Sequence, residues 1–164
     1  MFLDLTAILH EDGAIPFSFT PDMSGLSFLS IVRFLSPVRA EGRVVSSAGV
    51  LTLTGTVTTE ALCLCDRCGS EFRRAFSFSL DTPLAETPQD LESPELYPIE
   101  DGGIDLDEIA VTAFVLGLES KLLCRPNCKG LCSVCGHNLN EGPCGCKPEL
   151  DSRLAVLGQL LEQE

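Results

Sequence analysis

Nine cysteines, at positions 63, 65, 68, 124, 128, 132, 135, 144 and 146, carry the chemistry this sequence can offer. Eight fall into four pairs: Cys65-x2-Cys68, Cys124-x3-Cys128, Cys132-x2-Cys135 and Cys144-x-Cys146. Thiols at this spacing can share a metal ion, because a short turn brings both sulfurs to one side of the chain. Gly69 and Gly136 each follow a CxxC pair, and a residue without Cβ can take positive φ and let backbone N–H groups point at sulfur. Eight ligands complete two tetrahedra and leave one thiol over. All-thiolate tetrahedral sites are typical of structural zinc and leave no coordination position open for a reaction. The expected cofactor is therefore zinc, two ions with four thiolates each.

Four pairs can be combined into two sites in three ways. We group Cys65, Cys68, Cys124 and Cys128 as one set and Cys132, Cys135, Cys144 and Cys146 as the other. The second set closes a loop of only eight residues, Gly136 to Pro143, at low entropic cost. The first spans 55 intervening residues and would staple distant parts of the chain together. Iron–sulfur is the chemical competitor, since Cys128-x3-Cys132-x2-Cys135 has the cysteine spacing of radical SAM enzymes. That family needs a large α/β barrel after the motif, and only 29 residues follow Cys135. Cys63 is read as a small buried hydrophobe. His137, between complete pairs, is read as a bystander, and His10 carries no pattern.

The formal charge is −13, with 11 Lys and Arg against 24 Asp and Glu. This opposes a simple electrostatic grip on phosphates, which depends on basic side chains displacing counterions. The imbalance is local, because Ala75 to Ser120 contains no Lys or Arg. Seven of the eleven basic residues lie near the cysteines in sequence: Arg67, Arg73, Arg74, Lys121, Arg125, Lys129 and Lys147. Compensation of the −2 charge of a four-thiolate zinc site explains them; contact with RNA or a partner is the alternative role. The first nine residues lack the basic n-region of a signal peptide, and no apolar run reaches the roughly 20 residues of a membrane helix. A cytoplasmic location follows as the expectation, and in that compartment regular thiols read as ligands before disulfides.

The elements that must position these thiols are legible in part. Ile15–Thr20, Val38–Val45 and Val50–Thr59 alternate apolar and polar residues at period two, and Ser46-Ser47-Ala48-Gly49 makes the last two a hairpin. The second hairpin strand runs into the first CxxC, and Phe72–Leu80 alternates again. Residues 81–104 have the composition of an acidic loop, with four prolines. Asp105, with Glu108 three residues on, opens a helix as a carboxylate capping box, and its body, apolar nearly all round, reads as buried between the sheet and the cysteine module. Thr6–Leu9 suits a turn of helix. A terminal helix capped by Asp151 or Ser152 carries Leu154, Leu157, Leu160 and Leu161 on one face. The fold class is α+β: an antiparallel β-sheet meander, open or barrel-like, packed against a buried helix, with a C-terminal cysteine-rich zinc knuckle and terminal helix. Residues 1–122 form the core domain and 123–164 the cysteine-rich module.

LCDRC at 64–68, CKGLCSVCGHNLNEGPCGC at 128–146 and the following LDSRLAVLGQLL, with DLTAIL, VRAEGRV and IDLDEI upstream, closely resemble the YceD family of large ribosomal RNA subunit accumulation proteins. The resemblance covers nearly the whole chain. It departs at Ser133 and Ser152, where proline is usual. It implies a role in large-subunit ribosomal RNA accumulation and ribosome biogenesis, with no catalytic activity. Partners would be a ribosomal protein, ribosomal RNA or a pre-ribosomal particle, with no membrane and no small-molecule substrate. Two other classes compete: an RNA-binding regulator acting through the basic residues, and a thiol oxidoreductase using Cys65 and Cys68. The latter needs a low-pKa cysteine at a helix start, whereas this CxxC follows a strand.

Overall fold

In the computed structural model, residues 1–86 and 96–146 are described. Their fold is mostly sheet with one helix. The strands are β1 (Phe2–Asp4), β2 (Gly13–Phe19), β3 (Ile31–Phe34), β4 (Arg39–Ser47), β5 (Val50–Leu64), β6 (Glu71–Ala85), β7 (Tyr97–Pro98) and β8 (Gly103–Asp105), and α1 spans Leu106–Gly117. The main sheet runs β2-β4-β5-β6-β7, with β3 also pairing β5; β1 and β8 form a separate two-stranded sheet. The path ends on β2 at one side and β7 at the other, so the sheet is open and the barrel-like alternative is excluded.

The backbone of the molecule is the long β5–β6 pair, in register from Leu51↔Leu84 to Leu64↔Glu71. Along β5 the odd positions from Leu51 to Cys63 face inward, all buried but Gly55, while the threonines at 52, 54, 56 and 58 face out. The period of two sorts apolar from polar residues, as a half-buried strand requires. The β4–β5 hairpin closes Ser47 onto Val50, leaving Ala48 and Gly49 as a two-residue turn with φ of 50° and 79°. Two positive φ values are the signature of the turn whose twist matches paired strands. Within this pair Gly42 faces Gly55, and a Cβ on Gly42 would stand 2.2 Å from the Thr54 carbonyl oxygen.

The inner face is covered by α1. Asp105 caps it, its side chain accepting from the Asp107 N–H. Glu108 does not complete a capping box; it accepts instead from the Tyr97 hydroxyl at 2.6 Å. Phe114, fully buried, sits among Phe28, Phe34, Phe76 and Phe78 with ring centroids 5.1 to 6.2 Å away. The helix is not buried all round, for Val115 and Leu116 are exposed. Thr6–Leu9 forms no helix: Ile8 N–H donates to the Leu5 carbonyl in a single turn.

The expected acidic loop at 81–104 is shorter than the composition indicated. Strand β6 continues through Pro83 to Ala85, β7 lies within the interval, and β8 begins in it. The terminal helix expected after residue 150 lies outside the described residues, as does Lys147.

Candidate metal centres

Cys65 and Cys68 occupy the turn joining β5 to β6, and Cys124 and Cys128 follow the end of α1. Their four Sγ atoms lie within 4.8 Å of one another. The Cys65–Cys128 and Cys68–Cys124 sulfur separations are both 3.8 Å. A tetrahedral ion with sulfur ligands at about 2.3 Å sets its sulfurs about 3.8 Å apart, whereas a disulfide sets them at about 2.0 Å. The donor set therefore fits a four-thiolate ion, and all nine cysteines are free thiols. Cys132, Cys135, Cys144 and Cys146 form a second tetrad on the same 4.8 Å criterion. These are the two groups into which loop-closure cost divides the sequence.

The two CxxCG turns are built alike. In the first, Cys65 N–H donates to the Ser70 carbonyl at 2.9 Å and Gly69 N–H to the Cys65 carbonyl at 2.8 Å. In the second, Cys132 N–H donates to the His137 carbonyl at 2.8 Å and Gly136 N–H to the Cys132 carbonyl at 2.9 Å. Gly69 and Gly136 have φ of 71° and 72°, with open space where a Cβ would be. Glycine is needed here for the backbone angle, not for room.

Surroundings separate the centres. Cys65, Cys68 and Cys128 are 2 to 6% exposed and Cys124 is half-buried, while in the second tetrad Cys135 is exposed and the other three are half-buried. Asp66, inside the first turn, fastens that centre to the core. Its N–H donates to the Leu122 carbonyl, and its carboxylate accepts from the Leu122 N–H at 2.5 Å and from the Ser30 hydroxyl. Arg67 donates to the Cys128 carbonyl at 2.6 Å and closes the turn against the strand of chain it faces.

Electrostatics divide each tetrad. Burial opposes ionisation of Cys65, but backbone N–H groups of Cys124, Arg67 and Cys68 outweigh it and bring the thiol down to about 6. Cys124 is pushed up to about 12, by burial and then by the neighbouring sulfurs. In the second tetrad the N–H groups of Cys135 and Val134 bring Cys132 down to about 6. There Cys146 is pushed up to about 12 by its hydrogen bond with Cys135 and by burial. Four thiolates so close cannot all be charged without a cation among them, and a divalent ion held there would supply the missing charge.

The remaining sequence candidates fall outside both tetrads. Cys63 is fully buried among Ala61, Phe76 and Leu122, and burial raises its pKa. His137 is exposed and contributes only its backbone carbonyl. Of the basic residues, Arg67 is engaged with Cys128, and Arg74 pairs with Glu119 and lies 5.6 Å from the Phe76 ring centroid. Arg73, Lys121, Arg125 and Lys129 are exposed. Residues that spacing alone did not single out are Asp66, Asn138 and Asn140. Asn140 Nδ2 lies 3.3 Å from Cys128 Sγ, and Asn138 Nδ2 lies 3.5 Å from Ser70 Oγ. An Asn-x-Asn in the middle of a ligand loop was the available signal.

Among the described residues no helix is long and apolar enough to cross a membrane. A family model described as "Large ribosomal RNA subunit accumulation protein YceD" matches residues 53–161. An uncharacterized protein of Mycobacterium tuberculosis is 34% identical over 122 residues, covering 72% of this chain and 58% of the relative. The chain thus spans less than two thirds of that relative's length. A chloroplastic large ribosomal RNA subunit accumulation protein YCED homolog of Zea mays is 27% identical over 146 residues, covering 69% of this chain and 50% of the relative. The uncharacterized protein YlbN of Bacillus subtilis is 27% identical over 164 residues, covering 95% of this chain and 94% of the relative. No solved structure matches.

Proposed function

The chain belongs to the YceD family of large ribosomal RNA subunit accumulation proteins, and from that premise we propose that it is a non-enzymatic zinc-binding factor supporting the accumulation of large-subunit ribosomal RNA. One observation carries the reading: each tetrad gathers four cysteine sulfurs within 4.8 Å of one another, enough to fill all four positions of a tetrahedral ion. A site closed in this way holds structure and offers no position to a substrate. Zinc, when bound, supplies the positive charge that lets the clustered thiolates coexist. The chain does the rest. The N–H groups of the two turns hold Cys65 and Cys132 as thiolates, and Asp66 locks the first centre to the end of α1.

A basic ribosomal protein is the partner best suited to the charge of −13 and to the run from Ala75 to Ser120, which lacks any cation. Like-signed repulsion weakens direct contact with a polyphosphate. The second reading, direct RNA contact, is supported by the four cations around the first centre that remain exposed, Arg73, Lys121, Arg125 and Lys129. Cells in which the protein is replaced by a Cys65→Ser, Cys68→Ser variant should lose large-subunit ribosomal RNA relative to small-subunit RNA. Unchanged RNA levels would reject the proposed role. Co-purification after nuclease treatment, at two salt concentrations, distinguishes the partners. A retained ribosomal protein supports the first reading, and binding of naked ribosomal RNA with a steep salt dependence supports the second.

A further inference from the structure

The loop that closes the second tetrad also reaches the first. Asn140 lies between Cys135 and Cys144, yet its amide nitrogen stands 3.3 Å from the sulfur of Cys128. Its orientation is fixed by partners that admit one solution. Lys129 N–H, a donor only, faces Asn140 Oδ1 at 2.8 Å, so the NH2 end must face the sulfur and Asn138 Oδ1, 2.8 Å away. Asn138 Oδ1 accepts a second bond from Asn140 N–H at 3.1 Å. Leu139 N–H donates to the Gly130 carbonyl at 2.9 Å, and Leu131 pairs with Asn138 in a short bridge. The segment between Cys135 and Cys144 of the second tetrad is therefore folded back onto the turn that carries Cys128.

We propose that Asn140 is a positioning residue that couples the two centres: closing the second holds its amide on the Cys128 thiolate, so filling one centre tightens the hold of the other on its ion. The inference rests on the four-thiolate reading above. An N–H directed at a thiolate favours the charged, metal-binding form, and partners of this kind change metal affinity by about 10- to 100-fold. The amide can be pre-positioned only while residues 136–143 are closed, and their closure depends on Cys132, Cys135, Cys144 and Cys146 being drawn together. Linkage then requires the first centre to tighten the second by the same factor.

The test uses cobalt(II) as the probe, in competition with a chelator, reading the thiolate-to-cobalt charge-transfer band. Variants lacking one centre, Cys144→Ser with Cys146→Ser or Cys65→Ser with Cys68→Ser, assign each phase of the titration. Asn140→Asp is the informative substitution, because it keeps the acceptor for Lys129 N–H and removes the amide donor that serves Cys128 and Asn138 Oδ1. It should weaken cobalt at the first centre about 10- to 100-fold and shift the band, since the N–H···S bond is gone. Loss of the second centre should weaken the first similarly, and combining the two changes should add little more. Asn140→Ala, which removes the acceptor for Lys129 N–H as well, should reproduce the loss. First-centre affinity within about threefold of wild type in Asn140→Asp, or effects that multiply when combined, would overturn the coupling. Absence of cobalt from both tetrads would instead reject the metal reading itself.

Discussion

The turns Cys65–Ser70 and Cys132–His137 are one piece of backbone used twice, with the same two hydrogen bonds and glycine φ values one degree apart. What differs is the company they keep. The first joins the β5–β6 hairpin to the chain after α1, and three of its four cysteines are buried. The second draws together cysteines that lie within fifteen positions of sequence and leaves Cys135 exposed. Identical local geometry can thus be a staple of the whole fold in one place and the closure of a local loop in another. The consequence of losing a ligand is set by what else that ligand connects.

Removing the metal from each centre in turn is the strongest way to break this comparison. A structural site of this type supplies roughly 10 kcal/mol or more. Cys128→Ser should therefore abolish the cooperative thermal unfolding of the sheet, while Cys144→Ser should leave that transition nearly in place and free the second loop to fast proteolysis. Equal effects on the sheet would erase the distinction. Chelation of both centres should unfold the cysteine-rich C-terminal third, seen as loss of protection in hydrogen exchange there.

Acid should act in the same direction on both. Cys65 and Cys132, at about 6, keep a thiolate in each metal-free tetrad down to that pH. A thiol whose folded pKa is lowered stabilises the folded form above its ordinary value and loses that contribution as pH falls through the lowered one. Metal uptake should accordingly strengthen as pH rises and collapse as it passes down through about 6, measured by zinc competition across pH 5 to 8. Loading near pH 7 should release protons, because Cys124 and Cys146 start protonated.

Asp66 sharpens the comparison on a smaller scale, as the second turn has Ser133 at the equivalent position, with no hydrogen bond from its side chain among the described residues. Asp66→Ala should cost about 2 kcal/mol of unfolding free energy through lost charge-assisted bonds. Ser133→Ala should cost close to nothing, as denaturant midpoints will show. Smaller than the Asp66 effect are the glycines: Gly69→Ala and Gly136→Ala should each cost about 1 kcal/mol locally through the left-handed backbone. Only the first should lower the unfolding midpoint of the sheet.

The parts legible in the sequence are those where a short period or a loop length decides the outcome. The alternation of β5, the Ala48-Gly49 turn and the Asp105 cap rest on local chemistry, and the division of the thiols rests on the eight-residue loop. Strand β3 carries a register shift between Ile31 and Arg33, which spoils its alternation, and β1, β7 and β8 are too short to show a period. Pro83 argued for a loop, yet β6 runs through it, because a proline is tolerated where the ladder asks for no N–H. The apolar body of α1 could not reveal which side met the sheet, so Val115 and Leu116 were misassigned to the interior. Asn140 reaches across two turns to Cys128, a contact made by tertiary folding and carried by no local pattern.

The central claim is tested most directly by counting metal in the purified, fully reduced protein while following its fold. The account predicts two zinc ions per chain and unfolding of the first centre's surroundings when both are withdrawn. Protein that contains no metal, with nine free thiols and an intact cooperative transition, would contradict it.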